Sequence, residues 1–245
     1  MRILATLLLC AWVPLDFARA GTASYSNQVG IHFSFKNMTE VGGTNVPPGL
    51  EEPRLFTSPY DTIKFSPSTY AVVENNGPTL EASTNSSVLT LTLESVASQT
   101  LQELQISVSG TYGFTLYQSS PTGVANVGLS LGLALTYGAT TVGGFVVPIT
   151  QDVTTQTWSG FKSFTASDLS TIFSQPSLQV QQLVVTANPS VSAEAQWANA
   201  RSQIDYLDFT IVPVPEPSSS HLIGCGVALI GLRNLLRRPK KHTSH

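Results

Sequence analysis

Six acidic side chains, Glu51, Glu52, Glu74, Glu81, Asp205 and Asp208, are of the type that cleaves glycosidic bonds. That reaction needs two carboxyl groups facing each other across a sugar ring, one protonated and one ionised. Nothing in the spacing pairs any two of them: Asp205 and Asp208 lie three apart on an extended segment, which sends them to opposite faces. His32 is the only histidine between Gly21 and Pro217, so a Ser-His-Asp arrangement depends wholly on it. It falls between Ile31 and Phe33 on the polar side of an alternating segment, where an ordinary solvated histidine is expected. There is no Gly-rich phosphate loop, no His-Glu-x-x-His pair and no Asp-rich calcium loop. Trp158, Trp197, Tyr112, Tyr117 and Tyr137 are candidate platforms for sugar rings, although alternation puts Trp197 and Tyr137 on an apolar face. Thr90-Leu91-Thr92 is too short for a flat, repeated threonine array. The expectation is a noncatalytic protein with neither cofactor nor metal.

The elements that must position these residues read as strands. Val29, Ile31, Phe33 and Phe35 alternate with Gly30, His32 and Ser34. The same period holds for Leu89, Leu91 and Leu93, for Leu104, Ile106 and Val108, and for Tyr112, Phe114 and Leu116. The clearest run is Val127, Leu129, Leu131, Leu133, Leu135 and Tyr137, a spacing no single helical face can hold. Leu178 and Val180 share one parity and Leu183 and Val185 the other, which predicts a β-bulge at Gln181-Gln182. Val191 to Trp197 and Leu207 to Ile211 complete the set, the last strand ending at Pro213 and Pro215 because proline cannot donate to a ladder. One helical turn is expected over 167–174, capped by Ser167 and stopped by Pro176. Lys36 to Asp61, with Gly42-Gly43 and Pro47-Pro48-Gly49, reads as a long connection. Around a dozen short strands with turn signals between them predict an all-β fold, an antiparallel β-sandwich of jelly-roll-like type, over residues 21–212.

Composition excludes several classes of function. Between Gly21 and Pro217 there are five basic and fourteen acidic residues, a net charge of −9 against −3 for the whole chain. Nucleic acid is therefore no partner, since phosphate binding needs a basic patch. Both cysteines, Cys10 and Cys225, lie outside that body, which leaves it without disulfide, Cys-ligated metal or Cys nucleophile. Only 11% of the chain is charged, against about 25% in an average soluble protein, and Ser, Thr, Asn and Gln take the place of the missing charges.

The two ends carry an address. Arg2, an apolar run from Ile3 to Val13, and Ala18-Arg19-Ala20 fit a secretory signal peptide over residues 1–20, cut after Ala20 and exported by the Sec machinery. Lipidation at Cys10 fits less well, because Leu9 stands where a small residue is wanted. At the other end, residues 213–245 carry Pro215-Glu216-Pro217, three serines, and an apolar stretch from Leu222 to Leu232 with Gly224, Gly226 and Gly231. A basic stop of Arg233, Arg237, Arg238, Lys240 and Lys241 follows. As a helix, Leu222 to Leu236 would be about 22 Å long, short of a hydrocarbon core of about 30 Å. Its cations set the tail on the cytoplasmic side and the body outside.

In this order of elements the tail resembles the PEP-CTERM sorting signal. The likeness covers Pro213 to Lys241 and not the body, and it departs from the family in basic residues that are broken by Pro239 and followed by His242 to His245. What the resemblance implies is a short hydrophobic sorting helix, transient inner-membrane anchoring with the body in the periplasm, and removal of the tail by an exosortase. It further implies a cell-surface or extracellular destination, and a link to exopolysaccharide and biofilm. The alternatives are a carbohydrate-binding module of the same fold, with extracellular polysaccharide as partner, and a glycan hydrolase.

Overall fold

A computed structural model describes residues 21–42, 51–66, 70–96, 99–117 and 123–214. The strands are β1 (Thr22–Ser24), β2 (Gln28–Val29), β3 (Phe33–Gly42), β4 (Arg54–Phe56), β5 (Asp61–Phe65), β6 (Tyr70–Asn75), β7 (Glu81–Ser95) and β8 (Leu101–Leu116). They continue with β9 (Val124–Tyr137), β10 (Thr140–Val146), β11 (Ile149–Asp152), β12 (Thr157–Thr165), β13 (Gln182–Gln196) and β14 (Ala198–Pro213). Among the described residues a single helix, α1 (Ala166–Ile172), stands between β12 and β13.

These strands form two seven-stranded antiparallel sheets. The first runs β1-β3-β7-β13-β9-β10 with β2 beside β3, and the second runs β11-β12-β8-β14-β5-β4 with β6 beside β14. Beta-branched and apolar residues at every second position give each sheet one buried face. In β9, Leu131, Leu133 and Leu135 are buried while Asn126 and Ser130 are exposed. Phe33, Phe35, Leu91, Leu133 and Val185 from one sheet and Ile63, Phe65, Ile106, Phe209 and Ile211 from the other share one core. The central strands are long rather than short, with β8 and β14 at 16 residues each. Where β13 passes into β14 the core narrows to Ala193, Ala195, Ala198 and Ala200. Polar bonds cross between the sheets at this end: Ser202 Oγ donates to Gly128 O at 3.0 Å and Asn75 Nδ2 to Ala195 O at 3.0 Å.

Several local expectations are corrected. The segment 29–35 is not one strand: it breaks at Gly30–His32, and Val29 and Ile31 are exposed. The cause is Asp61, fully buried at the start of β5. Its Oδ1 accepts the backbone N–H of Ile31 at 2.9 Å, and its Oδ2 those of His32 at 2.6 Å and Phe33 at 2.8 Å. One carboxylate thus ties a turn of the first sheet to the second, and His32 sits in that turn instead of mid-strand. The 36–61 connection contains the rest of β3 and all of β4. No bulge occurs at Gln181-Gln182, because Leu178 and Val180 precede β13 as a buried irregular segment. Phe114 and Leu116 are half exposed, since β12 pairs with β8 only as far as Thr111.

The helix begins two residues early. Thr165, not Ser167, is its N-cap, in a reciprocal box with Asp168. The hydrogen bonds that Asp168 accepts from the Thr165 backbone and hydroxyl hold its carboxyl below the ordinary range. The signal-cleavage residues Ala18 and Ala20, and every tail residue from Pro215 to Lys241, lie outside the described residues.

Candidate functional site

The two outer faces differ in chemistry. Across the first sheet, register aligns Thr39, Thr90, Thr186 and Ala134 in one row, and Ser86, Ser190 and Ser130 in another. These rows are built of hydroxyls and small side chains, with threonines abreast across strands rather than along one, and Lys36, Glu94 and Glu194 lie elsewhere on the same sheet. The second sheet brings carboxylates and cations together with exposed aromatic rings, so most of the predicted site residues are best followed there.

Asp205 and Asp208 share the outer face, contrary to the expectation from spacing alone. A register shift between Ile204 and Tyr206 inserts an extra residue, so Ile204 and Leu207 are both buried while Asp205, Tyr206 and Asp208 all face out. Gly110 lies opposite this bulge, where an added Cβ would land on the carbonyl oxygen of Gln203. Close backbone approach is therefore the reason for glycine there.

The carboxylates nonetheless remain apart. Glu74 pairs in register with Asn199, nine positions along β14 from Asp208, or about 30 Å at the rise of a strand. Asp205 and Asp208 are about 10 Å apart by the same measure, on an open sheet surface. Glu81 is on β7 in the other sheet, and Glu52 accepts from the Ser26 N–H at 2.9 Å and from its hydroxyl. Glycoside cleavage needs separations of about 5–9.5 Å across the substrate, and no two of these residues are so placed across a cleft. Among the described residues no group of three or more His, Cys, Asp or Glu could hold a metal ion.

Two polar arrangements remain on this face. In the first, Phe161, Ser107, Asp208, Lys64 and Arg54 form one row across five strands. Lys64 Nζ stands 3.4 Å from the centroid of the Tyr206 ring, and Asp208 Oδ1 is buried with no hydrogen-bond partner. Burial raises the Asp208 carboxyl above its ordinary range, and the Lys64 ammonium opposes that shift.

The second arrangement is a groove of about 380 Å³ lined by Val72, Glu74, Gly113, Thr115, Gln156 and Arg201, with Phe114, Asn199 and Ala200 completing it. Register builds it from two adjacent rows, Thr115–Asn199–Glu74 and Gly113–Arg201–Val72. Gly113 leaves the floor without a side chain, and a Cβ there would meet only Gln156 Oε1, at 3.9 Å. Gln156 reaches this position from the β11–β12 turn with φ 54°, its carbonyl accepting the Tyr112 N–H at 3.0 Å. That turn is shaped by Asp152, whose Oδ1 accepts the N–H of Thr154 at 2.8 Å.

Neighbouring side chains hold the polar walls in place. Tyr117 Oη donates to Asn199 Oδ1 at 2.6 Å, which leaves the Asn199 Nδ2 hydrogens to donate elsewhere. Arg201 Nη2 donates to Gln203 Oε1 at 2.5 Å, and Gln203 Nε2 to Asp205 Oδ1 at 2.9 Å. Glu74 has no hydrogen-bond or ion-pair partner among the described residues, where the single ion pair is Lys36–Glu94 at 2.8 Å.

Most of the predicted aromatic platforms are packed inside. Trp158 is buried against Tyr112 at 4.7 Å, and Tyr137 packs on Phe173 at 5.6 Å. Trp197 is half-buried at the crossing from β13 to β14 with φ 49°, not on an apolar strand face. Among the described residues the exposed rings are Phe56, Tyr60, Phe114, Phe161 and Tyr206. Phe161 was legible, since it shares parity with Ser159 and Ser163.

The chain matches no protein-family model and no curated protein. Among the described residues no helix is long and apolar enough to cross a membrane.

Proposed function

We propose that this chain is an exported, noncatalytic cell-surface or extracellular-matrix protein with a jelly-roll-like body, matured at both ends. The Sec machinery carries it out, and the signal peptide is cut after Ala20. The tail then rests in the inner membrane as a short sorting helix until an exosortase removes it at Pro215-Glu216-Pro217. The product joins the cell surface and its exopolysaccharide.

One observation supports this reading above the others: the described body is tied in at both outermost residues, next to the proposed cuts. The carbonyl of Gly21 accepts the Gly42 N–H at 2.9 Å, and the Val214 N–H donates to Thr100 O at 3.0 Å. Both bonds join residues that stay in the product when residues 1–20 and the tail beyond Pro217 are removed. The intact mass of the protein in cells with and without the processing enzyme tests the proposal. The expected result is a body starting at Gly21 that loses its tail only when the enzyme is present. An identical, tail-bearing mass in both strains refutes it.

A second reading, carbohydrate binding by the same body, is favoured by the groove over Gly113. Glycan hydrolysis is disfavoured by the separations among Glu74, Asp205 and Asp208.

A further inference from the structure

We infer that the groove over Gly113 is a saccharide-binding subsite, with Glu74, Arg201, Asn199 and Gln156 as its polar contacts. This rests on the carbohydrate-binding reading and does not depend on tail processing.

The argument begins with charge. Glu74 and Arg201 are diagonal neighbours on adjacent strands, yet they form no ion pair, and Arg201 is turned toward Gln203. The groove thus holds one full negative and one full positive group whose formal charges cancel. A phosphate or a polyanion would meet the Glu74 carboxylate, and a polycation would meet the Arg201 guanidinium. A neutral ligand meets neither penalty.

Hydrogen-bonding capacity then narrows the ligand. Glu74 only accepts, Arg201 only donates, and the Gln156 carboxamide and the Thr115 hydroxyl do both. Asn199 contributes donors, since its oxygen is already held by Tyr117. A ring bearing several hydroxyls, each at once donor and acceptor, satisfies such a mixed set from one rigid scaffold. The apolar side chain of Val72, on the same outer face as Glu74 and Arg201, suits the C–H surface of a pyranose.

Pre-organisation completes the case. The Asn199 side chain is fixed by Tyr117 and that of Arg201 by the relay through Gln203 to Asp205, while the backbone of Gln156 is held by its bond to Tyr112. The Asn199 and Arg201 side chains lose little further freedom on binding, which lowers the entropic cost of recognition. The groove is open along the sheet, so an internal unit of a longer chain fits as well as a free end.

The test is calorimetric titration of the full chain with neutral hexasaccharides: β-1,4-, β-1,3- and α-1,4-linked glucose and β-1,4-linked N-acetylglucosamine. Binding to at least one of these is expected. Glu74→Gln and Arg201→Gln should each weaken it at least tenfold, and Gly113→Leu should abolish it by filling the floor. Glu194→Gln, on the opposite sheet, should leave it unchanged. Circular dichroism checks that each variant is folded; should Gly113→Leu fail to fold, the two polar variants still decide. No binding to any hexasaccharide at millimolar concentration overturns the inference. So does binding unaffected by Glu74→Gln and Arg201→Gln, or binding of free amino acids in place of sugars. A chain that keeps its tail in cells yet binds sugar refutes the processing proposal alone, whereas a processed chain that binds none refutes this one alone.

Discussion

Replacing Asp61 should cost more stability than any exposed acidic change, because its carboxylate accepts three backbone N–H groups between the two sheets. A hydrogen bond to a charged group contributes about 1.5–3 kcal/mol net, and a buried donor left without a partner costs about 1–3 kcal/mol. The three bonds do not count equally. Those from Ile31 and His32 are part-buried, so water replaces much of what is lost, whereas the Phe33 N–H is buried. Asp61→Ala is therefore expected to destabilise by about 3–5 kcal/mol: the Phe33 bond is lost in full with its donor left unpaired, and the other two charge-assisted bonds are lost in part. Asp61→Asn keeps one accepting oxygen and should lose about 2 kcal/mol, one charge-assisted bond.

Gly30→Ala should reproduce part of the effect, since its Cβ would lie 2.5 Å from Asp61 Cγ and 2.6 Å from Phe33 O. Urea unfolding of the full chain, followed by the fluorescence of its tryptophans, reads these values directly. With a slope of about 2 kcal/mol per molar urea, Asp61→Ala should lower the midpoint by about 1.5–2.5 M. A loss below about 1 kcal/mol for Asp61→Ala, the net value of one ordinary hydrogen bond, would refute the view that this carboxylate staples the sheets.

Three further outcomes follow from the same geometry. Because burial raises the Asp208 carboxyl, the stability it contributes is present at low pH and lost as pH rises above the ordinary carboxylate range; the wild type should weaken relative to Asp208→Asn between about pH 3 and 7, and a pH-independent difference in urea midpoints contradicts this. Thr165→Ala should remove about 1 kcal/mol by opening the box at α1, and since Asp168 is held below its ordinary range its contribution should fade as pH falls, which midpoints measured at pH 7 and in acid will show. Gly110→Ala should destabilise by at least about 2 kcal/mol and displace the bulge at Asp205, because its Cβ meets backbone and not a flexible side chain; an unchanged melting temperature would count against the bulge as drawn.

Alternation along β9 and β7 was legible because side-chain direction in a strand is a local property that repeats every two residues. From it the all-β class, the apolar set from Leu131 to Leu135 and the end of β14 at Pro213 could be read directly. Local reading failed wherever a distant group intervened. Asp61 bends the chain at Gly30–His32 from about thirty positions away, and the bulge that brings Asp205 and Asp208 to one face is accommodated by Gly110 on another strand. The groove is the extreme case. Glu74, Gly113 and Arg201 are ordinary residues in sequence, and only the pairing of β6 and β8 on either side of β14 makes them neighbours. The residue pattern determines which way each side chain points within a strand, through backbone sterics that act over two positions. Which strands stand side by side, and in what register, is decided by packing of the whole core, and the candidate binding chemistry belongs to that second level.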